Sequence, residues 1–187
     1  MSAAPRNLFT GSLRLFADIA RLRRGPEDLP VSTTLLVTTI VGSFLLSLML
    51  SLLLPQRSAR IAGPLLVDAL LTLLWLAVLL RMARRPERFL QTATAVFGFH
   101  LVLAPLIAVL QALLGRYGQD PSWQIPLLLM VLSMVGWTLA VSVRILASAT
   151  GWPVYLCVAV MLLQELVEWS VLMVLFPELT ATAPAVA

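Results

Sequence analysis

The sequence has 187 residues, 60% of them hydrophobic and only 12% charged, with a mean hydropathy of +0.96. An average soluble domain carries about a quarter charged residues, so this composition excludes an ordinary soluble enzyme and a disordered chain and implies an integral membrane protein. All 13 basic residues are arginines gathered at the ends of apolar runs, which marks them as topogenic rather than as a nucleic-acid-binding face.

The first 30 residues hold an amphipathic pattern. Over residues 8–24, Leu8, Leu15, Ile19 and Leu22 join Phe9, Leu13 and Phe16 on one broad face, while Arg14, Asp18 and Arg21 hold the other. Gly25 and Pro26 then supply a stop. Such a helix either lies in the cytoplasmic headgroup plane or folds against the protein's own cytoplasmic loop. The apolar run that follows exceeds the core of a cleavable signal and has no A-x-A-like site before the next charged turn, so it reads as a retained first span.

A helix needs about 20 apolar residues to cross a hydrocarbon core of roughly 30 Å. Five stretches qualify, at residues 31–54, 61–80, 90–114, 123–148 and 154–176. Breakers between them agree: Pro55, the GRYGQDPSW segment and the run Gly151-Trp152-Pro153. The expected fold class is therefore all-α, a polytopic bundle of five transmembrane helices with an interfacial helix before it and a short external tail at 177–187. Arginines set the orientation. Arg6, Arg14, Arg21, Arg23 and Arg24 precede span one, and Arg81, Arg84, Arg85 and Arg88 follow span two; only Arg57, Arg60 and Arg116 lie on the other side. This predicts a cell (inner) membrane protein with its N-terminus in the cytoplasm and its C-terminus outside.

Span one repeats a small hydroxyl residue every fourth position, at Thr39, Ser43, Ser47 and Ser51. Such a line reads as a seam for another helix. In span four, Gly136 and Ala140 lead to Arg144 along one stripe, a second packing signal. Cys157 is the single cysteine and allows no disulfide or C-x-x-C pair. As a lone thiol in an apolar run it reads as packing.

Ionisable residues inside spans are costly and mark function by default. Asp68, His100, Arg144, Glu165 and Glu168 are those residues here. At 1.5 Å of rise per residue, Glu165 lies roughly 16 Å, Glu168 roughly 12 Å and Asp68 roughly 10 Å from the outer ends of their spans. With His100 near mid-span, these four are expected to form one polar layer, and Arg144, near the cytoplasmic end, snorkels away from it. Three readings compete for the layer: a structural hydrogen-bonded cluster, a proton- or cation-linked path, and a metal site. No H-E-x-x-H, E-x-x-H or G-x-S-x-G motif and no Gly-rich phosphate loop is present, so the sequence implies no catalytic residue, metal or other cofactor.

A cytoplasmic segment containing GPEDLP (25–30) followed by five tightly connected spans resembles bacterial members of the Yip1 family. Asp28, Leu29 and Pro30 correspond to part of that family's Asp-Leu-Tyr-Gly-Pro element, without its Tyr and Gly. The resemblance implies five spans with the N-terminus inside and a non-enzymatic role in organising membrane or as a partner subunit. The expected partners are then the lipid bilayer and another membrane protein or a second copy of the chain, with no nucleic acid. The alternative is a small proton- or cation-linked carrier or channel using Asp68, His100, Glu165 and Glu168.

Overall fold

An apolar segment withdrawn from water has to close its backbone hydrogen bonds within itself, and a helix does so. The computed structural model, which describes residues 14–52 and 62–177, is helical accordingly, with no strand among those residues. A short helix at residues 14–20 (α1) precedes α2 (Thr33–Leu52), α3 (Ala62–Met82), α4 (Phe89–Tyr117), α5 (Pro121–Thr150) and α6 (Val154–Leu175). Each of the five from α2 to α6 is long and apolar enough to cross a membrane. Short 3₁₀ turns at Pro26–Asp28 and Pro86–Arg88 precede α2 and α4.

The boundaries have local causes. Ser32 Oγ accepts the Leu35 amide at the start of α2. Asp120 caps α5 by accepting from the Ser122 amide at 2.9 Å, with Pro121 in the first turn where a missing N–H costs nothing. At its other end Gly151 adopts φ 75 and returns its amide to the Ala147 carbonyl, the left-handed cap that favours glycine. α4 and α5 run past the expected spans because helix propagation carries through the polar residues at 115–117 and the turn at 121–122. At about 44 and 45 Å they exceed the roughly 30 Å of a hydrocarbon core.

α4 is the central helix. It packs against α2, α3 and α5, and Ala93, Ala95, Phe97, Phe99 and Leu103 are buried along it. The seam on α2 turns to this helix: Thr39, Ser43 and Ser51 are buried. Their hydroxyls donate back to carbonyls of α2 itself, those of Leu35, Ile40 and Leu48, at 2.7–2.9 Å. The small residues thus permit close approach without a cross-helix hydrogen bond.

Residues 8–13 of the predicted amphipathic helix lie outside the described residues, and α1, which covers part of the rest, packs against α4 and α5. Phe16, Ile19, Ala20 and Leu29 form one core with Ala95, Phe99 and Leu103 of α4 and with Val141 and Ile145 of α5. Trp137 Nε1 donates to the Ala20 carbonyl at 2.9 Å, and Gln91 Nε2 to that of Leu29 at 2.8 Å. α1 also stops before Gly25 and Pro26. Leu22 takes a left-handed backbone (φ 59), with Leu22 N on the Ile19 carbonyl and Arg23 N on that of Asp18, a Schellman turn built without glycine.

Gly98 makes this docking possible. A Cβ there would stand 2.3 Å from Phe16 Cδ1, and Gly98 lies about 14 Å along α4 from Phe89. Gly98→Val is therefore expected to expel α1 at an overpacking cost of about 1–3 kcal/mol, read as roughly tenfold faster proteolysis at Arg21, Arg23 and Arg24. Gly136→Val, where a Cβ meets nothing within 4 Å, should leave the rate unchanged; equal rates for both variants would reject the docking.

Candidate functional site

Helical spacing places two short polar rows opposite one another. On α3, Asp68 and Thr72 are one turn apart; on α6, Gln164 and Glu168 are one turn apart, with Glu165 beside them. Residues at i and i+4 share a face, so α3 and α6 meet through these rows. Thr72 Oγ1 donates to Glu168 Oε1 at 3.2 Å, and Gln164 Nε2 donates to the same oxygen at 2.8 Å. Glu168 is buried with Gln164 and Thr72, and a buried carboxyl needs such partners.

The rows open into a cavity of about 350 Å³ to which all five long helices contribute. Asp68, His100, Glu165 and Glu168 all line it. The carboxyls of Asp68, Glu165 and Glu168 lie close enough for their charges to interact. Hydroxyls of Ser47, Ser51, Thr138 and Ser142 and the amide of Gln111 add to its polar lining, and no arginine lines it among the described residues. His100 sets its ring against Phe97 and Phe99, each at 6.1 Å between centroids. The side chains of Asp68, His100 and Glu165 make no hydrogen bond among the described residues. Nor do any three His, Cys, Asp or Glu side chains among them converge as a metal site would require, so the geometry lends no support to the metal reading.

Gln164 and Thr72 are partners of Glu168 that sequence reasoning did not select as site residues. The signal was the i+4 spacing of each from an acidic residue already singled out. Gln164 carries a further feature: its Oε1 is buried without a hydrogen-bond partner among the described residues. Turning the amide round would set that oxygen against the Glu168 carboxylate, so Oε1 is held as a free acceptor.

Arg144 sits elsewhere. It is exposed, in a second groove with Gly136, Ala140, Glu27 and Ser148. Gly136 and Ala140 are exposed too, on the wall of that groove, with no other span packed directly on them among the described residues. Of the arginines read as topogenic or lipid-facing, Arg81 and Arg84 are exposed. Arg88 instead donates to the Ser148 carbonyl at 2.8 Å, and the Arg85 guanidinium lies beside Gly151. Ser148 Oγ donates to Glu27. That hydrogen bond, then the residue's own backbone amide and the Arg88 and Arg144 guanidinium groups, hold the Glu27 carboxyl below its ordinary value against a smaller opposing effect of burial. Cys157 is packed with Leu79, Val143, Leu146 and Met161.

Comparison with protein-family models, with curated proteins and with solved structures finds no match for this chain.

Thr72→Val deletes the side-chain hydrogen bond from α3 to Glu168 and is expected to cost about 1 kcal/mol, measurable as a lower unfolding midpoint in detergent. An unchanged midpoint would mean that Glu168 has another anchor. For Glu27 the folded value lies below the ordinary carboxylate value of about 4.3. Its contribution is thus complete above that pH and disappears as pH falls through the folded value. Protection of residues 14–30 from proteolysis should hold from pH 7 to about 5 and weaken below about 4, and Ser148→Ala should flatten that dependence.

Proposed function

We propose that the protein binds a proton or small cation in the cavity between its helices and carries it, or a solute coupled to it, across the membrane. The observation that carries this reading is charge composition: among the described residues, three carboxyls and no arginine line one chamber within an apolar bundle. Charges withdrawn from water are paired or neutralised, and a proton or a cation bound in the chamber would neutralise these. Carboxylates that face a cavity between spanning helices are the usual marks of ion and proton routes. In this reading the bundle is a multi-pass protein of the cell inner membrane, N-terminus inside and C-terminus outside, with Arg81, Arg84 and the arginines before α2 on the cytoplasmic face. No catalytic step is assigned.

A second reading, a non-enzymatic partner subunit or membrane organiser like the Yip1 proteins, draws on one observation: the exposed Gly136–Ala140 stripe of α5, a surface that lets another helix approach in lipid. The two readings part experimentally. With the full chain in proteoliposomes under an imposed pH or cation gradient, Asp68→Asn combined with Glu168→Gln is expected to lower flux by tenfold or more while helix content is retained. Flux that is absent from the unaltered protein, or unchanged in the double variant, would remove the carrier reading. Loss of assembly in Gly136→Leu with flux intact would then speak for the partner role.

A further inference from the structure

A bare proton or a dehydrated metal ion needs little of a chamber of about 350 Å³, a volume within the range of small organic ligand sites. The described residues offer no convergent metal-ligand set either. Gln164 adds an independent constraint. Its side chain is 6% exposed, its Nε2 is committed to Glu168, and its Oε1 stands buried and unpartnered on a residue that lines the cavity. A buried acceptor left in that state costs about 1–3 kcal/mol, and a ligand that brings an N–H or O–H donor recovers it. The carboxyls of Asp68 and Glu165, whose side chains make no hydrogen bond among the described residues, are further acceptors lining the same cavity and prefer a positively charged donor. Leu103, Ile107, Leu146 and Met161 give the rest of the wall an apolar part beside its hydroxyls and the Gln111 amide.

We infer that the cavity binds a small organic ammonium ion, its N–H groups directed to Gln164 Oε1 and the carboxylates and its carbon body against the apolar wall. The inference rests on the cation-linked reading above and specifies its cargo. A positive charge alone does not meet the requirement of Gln164; the ligand has to carry hydrogen-bond donors as well.

Cyclohexylammonium and tetramethylammonium separate these demands, since both are organic cations and only the first has N–H groups. Equilibrium dialysis of each against the full chain in nanodiscs is expected to show saturable cyclohexylammonium binding and at least tenfold weaker tetramethylammonium binding. Gln164→Met, similar in length, should lose about tenfold in affinity for cyclohexylammonium and much less for tetramethylammonium, which can feel only the loss of the Gln164 donor to Glu168. Equal affinity for the two cations overturns the inference, as does an unchanged cyclohexylammonium affinity in a folded Gln164→Met protein. Should that variant fail to fold, the ratio of the two cations on the unaltered protein still decides. A proton or sodium flux in proteoliposomes without ammonium binding defeats this inference and leaves the cation-linked reading standing; neither flux nor binding removes both.

Discussion

The carboxyl of Glu168 is the group on which the arrangement of the bundle turns. Placed among apolar helices, it has to be met by hydrogen-bond donors, and two side chains supply them to a single oxygen: Thr72 from α3 and Gln164 from its own helix. Meeting that requirement fixes the register of α3 against α6. It also brings Asp68, one turn from Thr72, to the cavity that Glu165 enters from the α6 side. Satisfying one buried acid therefore assembles a cluster of three, and no arginine is found among the described residues that line its cavity.

The same economy of donors governs the rest of the interior. Hydroxyls on α2 answer their own helix, so the α2 to α4 contact rests on size and shape. Shape also admits the N-terminal segment. Gly98 leaves room for the Phe16 ring, and the two polar ties, Trp137 to Ala20 and Gln91 to Leu29, use backbone carbonyls that a chain entering the bundle cannot leave unsatisfied. α1 therefore packs against both α4 and α5, and Leu103 and Ile145 of its core also line the polar cavity, beside His100 and Ala104.

Hydropathy alone located the five long helices to within a few residues, because length and apolar content are local properties. What it missed depends on surroundings. Gly98 and Gly136 give the same signal in a helix, yet one receives a phenyl ring and the other faces nothing. The end of α1 at Leu22 was hidden because the left-handed residue is not a glycine. Asp68, His100, Glu165 and Glu168 were visible as anomalies in apolar runs. Thr72 and Gln164 were not, since a single neutral polar residue is common in such helices and gains meaning only from the acid it contacts.

Charge and geometry also distinguish the two polar systems of the molecule. At the Arg88 and Arg144 end, Glu27 has a hydroxyl donor and two guanidinium groups nearby, so that cluster is complete in itself and ties the N-terminal segment to α5. In the cavity, the acids have hydroxyls, two amides and an imidazole around them but no arginine among the described residues, and one amide oxygen remains unanswered there. A cluster that is complete stabilises a fold. One that lacks both its counter-charge and a hydrogen-bond donor is shaped to receive a species that brings the two together, and an ammonium group is the smallest organic one that does.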